Sequence, residues 1–252
     1  MNPSLSVVIP CKDDAAFLGH CLAALNAQTV APLEIIVVDN NSCDDSGDVA
    51  ARHGARVLVE TTPGIAAAAS AGYDAALGDV IVRCDADSLP PGDWLERIAG
   101  RFLGEADLAV LTGPGYFYGT CPVRARLAGL GYMQAYFLLM GAAMGHWPPF
   151  GSNVAFRREE WERVRHLVSR NENVHDDVDL GFVLDPTMRT AYDRHLRVGI
   201  SARSLEGGAA GRRRLRRAFH TLALHWRQVP PWERWRRSLR AGSGRHRAAR
   251  WQ

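Results

Sequence analysis

Three short runs of buried-type residues, Leu5 to Ile9 (LSVVI), Leu33 to Val38 (LEIIVV) and Val80 to Val82 (VIV), each break off into polar residues. This constrains the chain more than any other feature, because apolar β-branched runs of that length suit strands in the middle of a sheet. Between the first two, CKDDAAFLGHCLAALNAQ repeats apolar residues at helical spacing through Phe17, Leu18, Cys21, Leu22 and Leu25, with Asp13 or Asp14 as the expected cap. Strand, helix, strand implies a right-handed parallel crossover and an open α/β sheet. In such a sheet ligands bind at the carboxyl edge, where all three runs place polar groups.

The third run ends in Asp85-Ala86-Asp87, two carboxylates one residue apart. Neighbouring carboxylates repel unless a divalent cation or a sugar hydroxyl lies between them. The second ends in Asp39-Asn40-Asn41-Ser42 and the first in Pro10-Cys11-Lys12-Asp13, which is no G-x-G-x-x-G. Nucleotide binding survives that departure and a dinucleotide site is weakened. Gly64 opens a helix rich in small residues (AAAASAGYDAALG), so close packing on the sheet is expected, with free N–H groups at its head as a ready phosphate site.

With 252 residues, 47% of them hydrophobic, the chain can bury a substantial core. The five cysteines are odd in number and scattered, and Met1 to Ser6 runs into a strand without a basic leader. A reduced, cytoplasmic protein is expected.

Pro10-Cys11-Lys12-Asp13, Asp39 to Ser42, the Gly64 to Ala76 helix and Asp85-Ala86-Asp87-Ser88 follow one another as in the family 2 glycosyltransferases of the GT-A fold, which this ordered set resembles over the first 100 residues. The resemblance implies a single mostly parallel sheet flanked by helices, a nucleotide-sugar donor, Mg2+ or Mn2+, and an inverting transfer to a hydroxyl or phosphate. It places Pro10, Cys11, Asp13, Asp39, Asn41, Gly64 and Ala68 with Asp85 and Ala86 on the donor, and Asp87 with Asp85 on the metal. Farther on, Gly151-Ser152-Asn153 resembles the family's glycine-rich element against the donor sugar. His175-Asp176-Asp177-Val178-Asp179-Leu180 resembles its acidic motif, making Asp177 the general base, with Asp176 beside it, although a dipole-stabilised acidic helix start is the plain alternative.

Residues 127–145 are nearly uncharged and long enough to cross a bilayer, yet Gln134, internal glycines and Pro148-Pro149 favour a buried or interfacial helix. Such a helix would suit a lipid-linked acceptor. A helix is expected over 159–168 and a last strand over 198–201. Residues 1–206 are expected to form the transferase domain, 1–100 its nucleotide half and 101–206 its acceptor half. Residues 207–211 read as a flexible link into a basic extension, 207–252.

That extension carries 13 Arg from position 212 onward against the single acid Glu233. Within Arg212 to Arg227, Leu215, Phe219, Leu222 and Trp226 share one helical face, the pattern of an interfacial helix on anionic lipid or of one docked on the acidic body. His220 and His225 are expected exposed, and 238–252 disordered. Gln228-Val229-Pro230-Pro231-Trp232 departs from the Gln-x-x-Arg-Trp of processive members, so polymer synthesis is not expected. Nor is nucleic-acid binding, for want of aromatic-basic interleaving on a sheet. The rivals are a non-catalytic nucleotide-sugar-binding or membrane-adaptor protein and a nucleotidyltransferase.

Overall fold

The computed structural model describes residues 2–185, 187–205 and 208–248. Its strands are β1 (Leu5–Cys11), β2 (Glu34–Asp39), β3 (Arg56–Val59), β4 (Val80–Arg83), β5 (Ser88–Leu89), β6 (Leu108–Thr112), β7 (Gly115–Tyr118), β8 (Val154–Arg157), β9 (Arg189–Tyr192) and β10 (Val198–Ser201). Seven form one sheet in the order β3-β2-β1-β4-β8-β6-β9, parallel throughout except for β8. The other three form a small sheet, β5-β10-β7, over the carboxyl edge that β4 leaves toward β5. The α/β class and the three founding strands are those expected from sequence. Of the small sheet, β10 is the last strand expected over 198–201, whereas its partners β5 and β7 were not expected, since two- and four-residue strands carry almost no periodicity.

The helices are α1 (Ala15–Asn26), α2 (Ser46–Arg52), α3 (Ile65–Ala75), α4 (Trp94–Gly104), α5 (Pro122–Ala128), α6 (Gln134–Met144), α7 (Arg158–Val164), α8 (Asp176–Val183), α9 (Ala209–Gln228) and α10 (Pro231–Ala248). They bury the sheet from both sides. On one face Leu18, Leu22 and Leu25 of α1 join Trp94 and Ile98 of α4; on the other Ala68, Ala69 and Tyr73 of α3 join Trp161 of α7 and Leu180 of α8. Gly72 explains the small residues of α3: a Cβ there would stand 2.3 Å from Val8 Cγ1 and 2.9 Å from Val38 Cγ2. Helix packed tightly on sheet therefore accounts for that composition.

Several expectations are corrected. Neither Asp13 nor Asp14 caps α1 with its side chain; Asp44 does, its Oδ2 accepting the Ala15 N–H at 3.0 Å. The helix expected over 159–168 is shorter, because the chain leaves it after Val164. Residues 209–211 are already helical, and Gly207 of the expected link lies outside the described residues. The stretch expected to be disordered is helical to Ala248, and 249–252 lie outside the described residues.

That last helix is anchored. Arg234, 5% exposed, donates to Met144 O at 2.7 Å and packs over Phe182. A cation on the last carbonyls of α6 complements the negative end of that helix. Trp235 Nε1 adds a bond to Ala142 O at 2.6 Å.

The apolar stretch forms one continuous helix, Pro122–Met144, built from α5, a π-helical segment Gly129–Met133 and α6. It is long and apolar enough to cross a membrane by length and composition. Of the buried, interfacial and spanning readings of this stretch, a helix buried all round is excluded, because Leu127, Leu130, Leu138 and Leu139 are all more than half exposed. Its inner side meets the body through Phe137, packed with Phe117, Phe150 and Ile200.

Candidate active site

At the carboxyl edge the backbone itself is bent into place. Asp13 and Asn41 take left-handed conformations (φ 51° and 60°), which Asp and Asn tolerate better than most residues. Asp39 Oδ1 accepts the Ser42 N–H, and Asp13 Oδ1 accepts the Cys43 N–H at 2.6 Å. Asn40, buried, donates to Glu60 O and Thr62 O and accepts the Gly64 N–H at 2.8 Å, so it shapes the whole loop into α3. This corrects one expectation: the Gly64 N–H is already bonded, with the backbone of Glu172 close by, and is not free for phosphate.

The strand exit at β4 is organised by a residue that sequence reading passed over. Arg83, 2% exposed, donates from Nη2 to Asp85 Oδ1 at 3.2 Å and from Nη1 to Asp176 Oδ2. A charge in a run of β-branched residues was the available signal, since arginine is almost never fully buried without a partner. Although burial works against it, the Asp176 carboxylate raises the Arg83 pKa well above its ordinary value. Gly151 packs against this guanidinium; a Cβ would stand 3.0 Å from Arg83 Nη2.

Consecutive residues then tie the two acidic motifs together. The Gly151 N–H donates to Asp177 Oδ2 at 3.1 Å and Ser152 Oγ donates to Asp85 Oδ2 at 2.5 Å. Through one dipeptide these carboxylates are brought to on the order of 10 Å of each other. Asp177 is buried, with the Tyr136 hydroxyl 3.4 Å away, where that hydroxyl donates to Pro149 O at 2.5 Å. His175 Nδ1 lies 2.5 Å from Asp177 Oδ1 at an angle poor for a hydrogen bond, so that contact is chiefly Coulombic. Burial alone would raise the Asp177 pKa; His175, then Arg83 and the Gly151 N–H, outweigh it and bring it down to about 2. Burial likewise lowers the His175 pKa, and Asp177 outweighs it, for a net rise above 6.5.

Asp87 faces different company. Arg203, on the turn Ala202–Leu205 after β10, donates from Nε to Asp87 Oδ2 at 2.8 Å and grips Asp14 with both terminal nitrogens at 2.6 and 2.5 Å. Tyr118 OH holds the Asp87 carbonyl at 2.7 Å. Burial, then Asp85, raises the Asp87 pKa despite Arg203, which marks an acid short of positive charge.

Not every expected residue reaches a ligand. Ala68 and Asn153 are fully buried, a correction to their expected place on the donor. Asn153 is consumed by the fold: it accepts from Trp94 Nε1 at 3.0 Å and donates to Leu196 O at 2.7 Å. Pro10, Cys11 and Ala86 are buried too, with Cys11 and Asp39 in register on β1 and β2. His225, expected exposed, pairs its Nε2 with buried Asp179 Oδ1 at 2.6 Å and stacks on Phe182. With Thr221 Oγ1 accepting the His175 N–H at 2.9 Å, α9 braces the helix that carries Asp177.

Two groups of acids could take a divalent cation. His175, Asp176 and Asp177 offer ligand atoms within 4.8 Å of one another, but Arg83 already sits on Asp176, and its charge disfavours a second cation there. Asp87 and Asp14 offer hard carboxylate oxygens that suit Mg2+ or Mn2+, with Asp85 close enough to raise the Asp87 pKa, and the arginine they hold, Arg203, is 38% exposed where Arg83 is buried, so it is the one a metal can exchange with.

Comparison with known proteins gives one family model, glycosyl transferase family 2, matching residues 6–168. An uncharacterised glycosyltransferase of Mycobacterium tuberculosis is 43% identical over 97 residues, 38% of this chain and 43% of the relative. A PGL/p-HBAD biosynthesis glycosyltransferase of the same species is 34% identical over 110 residues, 41% of this chain and 43% of the relative. The chain thus spans less than half the length of these curated relatives. Among solved structures, glucosyl-3-phosphoglycerate synthase from Mycobacterium tuberculosis, in complex with Mn2+, UDP-glucose and phosphoglyceric acid, superposes with a TM-score of 0.62 at 19% identity, covering 88% of this chain and 79% of that one. The mannosyltransferase PcManGT from Pyrobaculum calidifontis, in complex with GDP-mannose and Mn2+, gives 0.60 at 18% identity, covering 98% and 76%.

Proposed function

Because this chain belongs to glycosyl transferase family 2 and has the GT-A fold, we propose that it moves a sugar from a nucleotide diphosphate donor to an acceptor oxygen, with inversion and without processivity. The observation that carries the reading is the Gly151-Ser152 bridge, which sets Asp177 beside the exit of the strand that bears Asp85 and Asp87. A donor lying along Asp13, Asp39, Asn41 and Asp85 presents its sugar toward Gly151 and its anomeric carbon toward Asp177. The acceptor oxygen then attacks that carbon as the bond to the diphosphate breaks, and the acceptor proton passes to the Asp177 carboxylate.

With its pKa near 2, Asp177 is ionised across the physiological range but weakly basic. It therefore takes the proton late, once the new bond has made the acceptor oxygen acidic. With an ionised phosphate acceptor it orients instead. Asp87 would hold Mg2+ or Mn2+, which supplies charge to the leaving diphosphate. Both solved neighbours named above contain Mn2+ and a nucleotide sugar, in support of that assignment.

The acceptor we favour is lipid-linked, with the protein peripheral at the inner face of a membrane. Leu127, Leu130, Leu138 and Leu139 are exposed along the apolar helix, and Leu138 lines, with Trp235 and Leu239 of α10, a groove of about 810 Å³ between α6 and α10. The arginines of 207–252 supply attraction to anionic headgroups. In this reading 1–206 is the transferase body and 207–252 its membrane-facing extension.

The test is nucleoside diphosphate release from a panel of nucleotide sugars, with Mn2+ or with EDTA, and with or without anionic liposomes. Release with one donor, lost in EDTA and raised by liposomes, is expected. Binding of a donor without any release under every condition overturns the enzyme in favour of a sugar-nucleotide-binding protein.

A further inference from the structure

The Asp14–Asp87 position is already occupied by a cation that belongs to the protein. Arg203 reaches it from β10, the central strand of the small sheet, and lies 4.3 Å from the centroid of the Phe17 ring. Its guanidinium is fixed on three sides: both Asp14 oxygens, Asp87 Oδ2 and the aromatic face. Paired terminal nitrogens on one carboxylate make the stronger, directional form of ion pair. Yet the side chain is 38% exposed and stands on a four-residue turn, with Gly208 at φ 82° beyond it. It is held, but not enclosed.

Charge balance makes this position selective. Asp14, Asp85 and Asp87 bring three carboxylates to one edge, and Arg83, shared with Asp176, serves Asp85 from behind. Arg203 is then the positive charge on the open side. A divalent cation bound to Asp87 would stand within a few ångströms of that guanidinium and repel it. The two compete for the same carboxylate, since each is held there by its charge.

We propose that Arg203 is a resident counter-cation which a divalent metal must displace from Asp87, so that this side chain sets how readily the protein takes up metal. It makes Arg203 a positioning residue, keeping the carboxylates neutralised and in place until metal arrives and then freeing a guanidinium at the edge where a diphosphate would lie. The inference rests on the reading of Asp87 as the metal ligand, and the experiment separates the two.

Mn2+ alone is titrated into the full chain and free Mn2+ followed by electron paramagnetic resonance, for wild type, Arg203→Gln, Arg203→Lys and Asp87→Asn, with circular dichroism to confirm folding. Arg203→Gln should bind Mn2+ at least tenfold more tightly than wild type, and its melting temperature should rise more on adding Mn2+. Arg203→Lys, which keeps the charge but loses the two-pronged grip, should fall between, and it carries the test if the glutamine variant does not fold. Asp87→Asn should abolish binding in either background. If Arg203→Gln binds Mn2+ no better than wild type, or not detectably, while Asp87→Asn still weakens wild-type binding, the displacement idea is wrong and the metal site stands. If Asp87→Asn leaves Mn2+ binding unchanged, the metal ligand is misassigned and the proposal falls with it.

Discussion

The two acidic motifs, Asp85-Ala86-Asp87 and Asp176-Asp177, solve the same electrostatic problem in opposite ways. In the second the positive charge is built in: Arg83 stands at the end of β4 with its side chain 3% exposed, and His175 precedes the acids it faces. In the first, Asp85 shares Arg83 while Asp87 borrows its charge from Arg203, more than 100 residues away in the chain and 38% exposed. A buried partner cannot be withdrawn without stranding a charge, whereas an exposed one is exchanged for water at little cost. The contrast separates a centre made to stay fixed during chemistry from one made to trade cations.

Removing the fixed charge should produce the largest effect. Arg83→Met leaves Asp176 buried and uncompensated, and a loss of about 3–5 kcal/mol is expected, read as a fall in the denaturant midpoint or in soluble yield. A loss below 1 kcal/mol would show that Arg83 is as dispensable as a surface arginine and would erase the contrast. Next comes Asp177→Asn, which keeps the shape and removes the proton acceptor. Transfer should drop by about 100-fold or more, measured as nucleoside diphosphate release at a temperature well below the melting point of the variant, which also loses its pairing with His175. Activity within threefold of wild type would move the general base elsewhere.

His175→Gln tests the pairing through its pH dependence. The Asp177 pKa is depressed to about 2, so its share of the stability is present above 3.8 and lost as pH falls toward 2. The His175 pKa is raised, so its share is present below 6.5 and lost as pH rises through the raised value. Between those limits wild type should exceed the variant by about 1.5–3 kcal/mol, and the gap should close on the alkaline side, as followed by melting temperature against pH. A gap that widens with pH would reverse the assignment. The smallest change is expected at the borrowed charge, where Arg203→Gln should cost under about 1 kcal/mol in metal-free buffer. A cost like that of Arg83→Met would make Arg203 structural.

Much of the first motif was readable along the chain because it is local. Strand, turn and acids fall within ten residues, and the alternation of Leu5 to Ile9, Leu33 to Val38 and Val80 to Val82 with helical spacing reports the sheet directly. Asp177 was legible only through likeness to a family, since a helix start also favours acids on dipole grounds. Arg203, Asp14, Thr221 and His225 were not legible, because their partners lie 189, 46 and 46 positions away and no periodicity links such pairs. Asn153 was misread for the complementary reason. A polar residue beside Gly151 and Ser152 reads as ligand-facing until Trp94 and Leu196 are seen to claim its amide.

By itself the order of residues determined the α/β class, the parallel centre of the sheet and the edge at which carboxylates gather, since strand and helix signals depend on neighbours within a few positions. Tertiary structure alone decided which cation each carboxylate keeps, and that the apolar helix 122–144 lies open on the surface. Burial and charge pairing are properties of folded space, where groups far apart in the chain set one another's solvation and field.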